Sequence, residues 1–361
     1  MKQNGKLTEV LNNFQTMGIP FSDCIVYHHG QCVFRHRFGY SDHVRRKAAD
    51  GAERCNIYSA SKPITCTAAL QLVEKEAIGL DDAVYEYLPE FRHLKKLCHG
   101  KLEPVKNTMT IRHLFSMTAG LTYNIYSENL KRGQKETGGR LPTREAMKYL
   151  ACDPLEFEPG TAWRYSLCHD VLAAVVEVVS GERFSEYVRK NIFDRIGMSH
   201  STYSLPESDF DSISAQYNYD SKTGKYVFCG PEIQLFKLGS DYESGGAGCI
   251  STLEDYIVFL EALRNGEALL KRETISEMIR PQINETNRTN YNRDGYSYGL
   301  GVRCPMPSGT FADFGWDGAA GAFLAVIPEA EISIFYLQHV LNSPNFSMLP
   351  SLVDAALQDL N

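Results

Sequence analysis

This chain of 361 residues lacks several things. No apolar run approaches the ~18–20 residues that a membrane span needs. No Cys-x-x-Cys pair occurs among its ten cysteines, at 24, 32, 55, 66, 98, 152, 168, 229, 249 and 304, which removes the commonest zinc and redox spacings. Basic residues do not gather: the densest run is "HVRRK" at 43–47, and the net charge is -7. Nucleic acid is therefore not an expected partner, and neither is a membrane. Residues 1–18 hold no apolar signal core and read instead as an amphipathic helix with Leu7, Val10, Leu11 and Phe14 on one face. Without a leader, free thiols in a reducing cytoplasm are expected; Cys24 and Cys32, facing across a hairpin, leave one disulfide open. The histidines are scattered. His28 and His29 adjoin in an apparent strand, where neighbours point to opposite faces, so no metal site is expected.

What is present is ample core material, 43% hydrophobic, for two domains or one large one. Alternation around "HHGQ" predicts a β-hairpin early in the chain. Residues 76–200 read as helical and loop-rich, with "TIRHLFSMTAGL", "TREAMKYLACDP" and "SLCHDVLAAVVEVVSG" as helices. After 201 the texture changes. "AQYNYDSKTGKYVF" is a second hairpin, "STLEDYIVFLEALRNG" a capped helix, and "YSYGLGVRC", "FADFGWDG", "AFLAVIPE" and "EISIFYLQHV" are strands before a C-terminal helix. Strands at both chain ends with helices between them predict an α/β fold. It is an antiparallel sheet flanked by helices and built from both ends, with an inserted all-helical domain. The predicted division is 1–75 plus 201–361 for the sheet domain and 76–200 for the helical one. A cleft between them is a natural active site.

Three stretches are candidates for chemistry. In "IYSASKPIT" (57–65), Ser59 and Lys62 are nearly one helical turn apart at a helix mouth, so their side chains share a face. A serine needs a partner to take its proton, and a helix N-terminus offers N–H groups and positive potential to an oxyanion. Capping by Ser59 or Ser61 is the plainer alternative. In "FEPGTAWRYSLCHDV", Tyr165 precedes an apolar helix, where it either packs or moves protons. In "FGWDGAAGAFLAVIPE", four small residues, Gly318 to Gly321, lead a strand and allow close approach of a substrate or a bulge.

Ser-x-x-Lys opening a helix, "PGTxWxYS" before the next apolar helix and "GWDGAAG" before a strand pair and terminal helix together resemble the penicillin-recognising serine hydrolases. More narrowly, they resemble the class C β-lactamase-related group, with its esterases, D-aminopeptidases and carboxypeptidases. "GLDDAVYEYLPEF", "TIRHLFSMTAGL" and "GGAGCISTLEDY" follow in the family's order, so the resemblance spans nearly the whole chain. It implies Ser59 as the acylated nucleophile, Lys62 as its proton-handling partner and Tyr165 as general acid or base. It puts the backbone N–H groups of Ser59 and Ala319 in an oxyanion hole. No cofactor is implied.

The sequence departs from the family in two places. The second motif, normally Tyr-x-Asn, is Tyr165-Ser166-Leu167, so leucine stands where a substrate amide would be bound. The third, normally Lys-Thr-Gly or His-x-Gly, is Trp316-Asp317-Gly318, so an indole replaces the cation that meets a substrate carboxylate. The literal Lys222-Thr223-Gly224 reads as a hairpin turn. Losing polar recognition groups relaxes the discrimination they supply. Leu167 and Trp316 are then expected to form an apolar acyl pocket, with Asp317 and Gly318 also binding substrate and Asp317 available to a cationic or hydroxylated group. The expected function is an esterase or small-amide hydrolase acting through an acyl-enzyme on a small-molecule substrate. A β-lactamase or D-amino-acid peptidase, and a silent binding protein on the same fold, are the alternatives. The polar loop 122–142 is either a lid or a plain surface loop.

Overall fold

A computed structural model describes every residue except 1–4, 43, 231–233, 308, 310–311 and 361. Eight strands make the main sheet: β1 (Phe21–His28), β2 (Gln31–Asp42), β3 (Lys47–Ala48), β4 (Tyr296–Tyr298), β5 (Arg303–Pro305), β6 (Phe314–Asp317), β7 (Phe323–Ile327) and β8 (Ile332–Leu337). Their order is β4-β5-β6-β7-β8-β1-β2-β3, antiparallel throughout. The two chain ends meet where β1 pairs with β8, with Asp23 opposite Leu337 and His28 opposite Ile332.

Period-two alternation sorts the sheet's side chains into two cores. Cys24 and Val26, Phe323, Ala325 and Ile327, and Ile332, Ile334 and Tyr336 face one side. There they meet Leu7, Leu11 and Phe14 of helix α1 (Lys6–Thr16), and the C-terminal helix. Ile25, Leu324, Val326, Phe335 and Leu337 face the other side and join the larger core. That core takes in α2 (Ser61–Glu74), α3 (Cys168–Ser180) and α4 (Leu253–Asn265). Helix α3 ends at Gly181, whose φ of 72° is the left-handed stop that glycine takes without penalty.

Between 76 and 200 the chain is mostly helical, but it also forms a hairpin, Lys95–Cys98 with Lys101–Pro104. The loop 122–142 is not irregular throughout. Ser127 caps a helix over Glu128–Glu136 through the Leu130 N–H (3.2 Å), and Leu130 and Gly133 are buried. "SKTG" is the turn between Tyr217–Asp220 and Lys225–Phe228, its Lys222 amide and Thr223 hydroxyl both donating to the Asp220 carboxylate.

The disulfide left open does not form, and one smaller expectation, the placing of the adjacent histidines, needs correction. All ten cysteines are free; Cys24 is buried opposite His36, whereas Cys32 is exposed opposite Tyr27. His28 and His29 do not diverge, because His29 has left the strand at φ 52° and its ring lies 4.0 Å from that of His28. Among the described residues, no helix is long and apolar enough to cross a membrane.

Candidate active site

Ser59 lies in a single 3-10 turn, Tyr58–Ala60, that runs directly into α2. No side chain caps this helix. Ser61 is used otherwise: its Oγ accepts from the Cys249 N–H (3.0 Å). The capping explanation for Ser59 therefore does not hold. Ala60 N–H closes the turn on the Ile57 C=O (3.1 Å) and Ser61 N–H on the Tyr58 C=O, so the turn makes no use of the Ser59 N–H.

The turn is held from outside. Ile57 N–H donates to the Cys249 C=O (3.1 Å), and the buried Tyr58 hydroxyl donates to Gln216 Oε1 (2.7 Å). Tyr58 itself sits at φ 46°, which for a bulky residue costs roughly 1–3 kcal/mol and persists only where the surroundings enforce it.

The three predicted catalytic side chains converge. Lys62 is fully buried, and its Nζ donates to Ser59 Oγ (3.2 Å) and to the Gly246 C=O (2.7 Å). Tyr165 donates from its hydroxyl to Ser59 Oγ at 2.6 Å. Its ring lies between Tyr123 and Trp316, stacked at 5.3 Å and 5.8 Å. Lys62 Nζ is 4.6 Å from the Tyr165 ring centre, within cation–π range. Trp316 Nε1–H points at the Tyr165 oxygen (3.4 Å). The indole in the third motif thus serves as a wall of the site and as a polar neighbour of the phenol.

Gly318 has a steric reason. A Cβ there would lie 2.1 Å from the Ile57 carbonyl oxygen, so only glycine lets the end of β6 approach the Ser59 turn this closely. Ala319 follows in a tight turn whose backbone bonds are made by Gly318 and Gly321.

A cavity of about 660 Å³ opens over Ser59. Tyr123, Trp163, Tyr165 and Trp316 supply its aromatic wall, and Ala319 and Asp317 line it too. Leu167 does not line it: its side chain is buried in the core, and its N–H is bonded to the Thr122 C=O (3.1 Å). Asp317 is not free for a substrate cation. It is paired with Arg293, which also stacks on Trp316 at 4.5 Å, and with buried Arg303 (3.4 Å), which in turn holds Asp313 (2.6 Å). The other cavity guanidinium, Arg164, is bonded to Glu156 (3.0 Å).

Sequence reasoning passed over Tyr123, Arg293 and the buried Asp170. The last had a signal, a carboxylate inside the apolar run "LCHDVLAAVV", where an unpaired charge is costly.

Comparison with known proteins bears on this arrangement. Esterase EstB of Burkholderia gladioli is 30% identical over 282 residues, 71% of this chain and 68% of that enzyme. Acyltransferase calJ of Penicillium decumbens is 32% identical over 243 residues, 63% of this chain but only 56% of its own length. Among solved structures, a LovD6 mutant of simvastatin synthase from Aspergillus terreus superposes with a TM-score of 0.81 at 19% identity, covering 100% of this chain and 99% of that one. EstCE1, described as a hydrolase with promiscuous acyltransferase activity, superposes with a TM-score of 0.76 at 24% identity, covering 97% and 98%. At such identities these two structures establish the fold, an α/β architecture of the β-lactamase and penicillin-binding-protein type. The family model described as Beta-lactamase matches residues 17–358, and this chain belongs to that family.

Proposed function

We propose that this protein is a serine acyl-transfer enzyme that hydrolyses esters of small molecules through an acyl-enzyme on Ser59. The observation that carries the reading is the convergence on Ser59 Oγ of the Tyr165 hydroxyl at 2.6 Å and Lys62 Nζ at 3.2 Å. A nucleophile with its proton handlers already in hydrogen-bond reach is what acyl transfer requires. Ser59 Oγ attacks the ester carbonyl and its proton passes into the Tyr165–Lys62 pair. The oxyanion is received by the N–H groups of Ser59 and Ala319. The alcohol leaves with a proton, and water then attacks the acyl group.

The cavity favours neutral esters. Arg293 and Arg164 are each matched by a carboxylate, Asp317 and Glu156, so neither offers an unmatched charge to a substrate carboxylate, and the wall beside Ser59 is aromatic. We place the site at the seam of two domains, 1–75 with 201–361 and 76–200: Ser59, Trp316 and Ala319 come from the first, Tyr123 and Tyr165 from the second. Ten free thiols fit a reducing cytoplasm.

A second reading, transfer of the acyl group to an alcohol instead of water, is favoured by the cavity of about 660 Å³ and by the acyltransferase among the relatives. It shares every step up to the acyl-enzyme.

The deciding experiment is labelling by a fluorophosphonate probe, wild type beside Ser59→Ala, read by intact mass and peptide mapping. One adduct on Ser59, absent from the variant, is expected. A folded wild type that takes no adduct removes the reading in favour of a binding protein. A panel of p-nitrophenyl esters and β-lactams, with and without added alcohol, then separates hydrolysis, transfer and lactam turnover.

A further inference from the structure

Asp170 is a buried carboxylate that the acyl-transfer scheme leaves without a task. It lies on α3, five residues beyond Tyr165, and is 1% exposed. Its Oδ1 accepts from Ser244 Oγ (2.6 Å) and from the Tyr242 hydroxyl (2.8 Å). Its Oδ2 is approached by the Gly246 N–H but completes no well-formed hydrogen bond. A Cβ added at Gly246 would lie 2.6 Å from that Oδ2 and 3.4 Å from Lys62 Nζ. The Asp170 carboxyl and the Lys62 amino group therefore face each other across the bare Cα of Gly246, whose own C=O accepts from Lys62.

A fully buried ammonium needs a counter-charge, because leaving it unpaired costs several kcal/mol. Tyr123 and Tyr165 present ring faces to Lys62. Cys66 comes from α2, Cys168 and His169 from α3, and Tyr242 from the segment before Gly246. Burial pushes the Cys66 thiol and the Tyr123 and Tyr242 phenols well up, and Cys168 up to about 12. Burial and the Lys62 charge push His169 down to about 3. All five are neutral near pH 7. Burial also pushes Asp170 up, while Ser244, Lys62 and Tyr242 hold it down, and of these groups it alone is a carboxylate.

We infer that Asp170 is a positioning residue, the counter-charge that keeps Lys62 an ammonium throughout acylation, donating to Ser59 Oγ and the Gly246 C=O. This rests on the acyl-enzyme reading above. Lys62 then takes no proton. In one concerted step the Ser59 Oγ–carbon bond forms and the ester C–O bond breaks, the serine proton moving to the Tyr165 oxygen while the tyrosine's own proton moves to the departing alkoxide.

The test is the pH profile of the fluorophosphonate labelling rate for wild type, Asp170→Asn and Tyr242→Phe, with thermal melts to verify folding. Removing a negative charge beside an ammonium moves its loss of proton to lower pH by about 1 unit or more. In Asp170→Asn the alkaline limb is therefore expected to fall by about that much, and the rate by roughly tenfold only at pH values above both limbs. Tyr242→Phe deletes a hydrogen bond but keeps the charge, so its limb should coincide with the wild type's, whatever the change in height. An Asp170→Asn limb that coincides with the wild type's, or a Tyr242→Phe limb that moves with it, overturns the inference. A wild type without a Ser59 adduct sinks the underlying reading instead. Should Asp170→Asn not fold, the Lys62 Cε shift in 13C-labelled wild type decides: an ammonium at the pH of fastest labelling supports the inference, a neutral amine overturns it.

Discussion

Tyr165 makes its contacts with Ser59 and Trp316 Nε1–H through the phenol oxygen, and with Tyr123 and Trp316 through the ring. Those two sets separate cleanly by substitution. Tyr165→Phe deletes the oxygen 2.6 Å from Ser59 and keeps the stacked ring. A positioned proton-transfer group contributes about 10²–10⁴ in rate, so kcat for an ester substrate should fall by that order while KM changes little. The melting temperature should stay close to that of the wild type, because the aromatic stack survives. A Tyr165→Phe enzyme with full kcat would remove the tyrosine from the chemistry and leave it a packing residue. Ser59 and Lys62 were legible in sequence because their relation is local: three residues on one helix fix a shared face. The Lys62–Asp170 relation is not local. It depends on Gly246 bringing a third segment between α2 and α3, and no spacing encodes that.

At the scale of elements, the site depends on how closely the end of β6 approaches the Ser59 turn. An added methyl at Gly318 would meet the Ile57 carbonyl oxygen at 2.1 Å. That oxygen is backbone and already accepts from Ala60, so no side-chain rotation relieves the clash and the strand must move. Gly318→Ala is expected to cost about 1–3 kcal/mol of stability, the usual range for overpacking. It should also lower kcat through a widened gap between Ser59 and Ala319. Urea unfolding and ester turnover on the same preparation check both; a variant with native stability and native kcat contradicts the close-approach argument. Elements of this kind were readable where period and punctuation agreed. The strands from Phe314 to Leu337 alternate strictly between two cores, and Gly181 stops α3. The hairpin Lys95–Pro104 was missed because its alternating leucines, Leu97 and Leu102, are exposed. Its turn, His99-Gly100, with φ of 48° and 77°, was the available signal. Leu167 shows the converse error. Its motif position suggested a pocket wall, but at the start of an apolar helix the leucine turns into the core.

Across the whole molecule, two buried histidines tie distant segments together in their neutral form and make the fold acid-sensitive. His339, two residues beyond β8, accepts from the Asn56 N–H at Nε2 (3.2 Å) and donates from Nδ1 to the Ser214 C=O (3.1 Å). A proton on Nε2 would face an N–H, and burial holds this ring down to about 4. His169 donates from Nε2 to the Phe115 C=O (3.1 Å); burial first, and then Lys62, hold it down to about 3. In the unfolded chain both take a proton near pH 6.5. Folded values below unfolded ones mean that the unfolded state binds more protons, so stability is full above about pH 6.5 and is lost as pH falls toward the folded values. At pH 5 each histidine accounts for a loss of about 2 kcal/mol. Asp23 works the other way. Burial, against the Arg35 fork, pushes it up to about 6, so it gains its proton in the same window and returns about 1 kcal/mol. Of these three groups the histidines win, and together the three are expected to contribute about 2–3 kcal/mol less stability at pH 5 than at pH 7, read from urea midpoints with an unchanged slope. His339→Asn assigns the effect: whatever its own cost, the fall between pH 7 and pH 5 should shrink by about 2 kcal/mol. An unchanged fall would place the acid sensitivity elsewhere, whereas the expected one ties it to the ring that joins the segment after β8 to the backbone three residues ahead of Ser59.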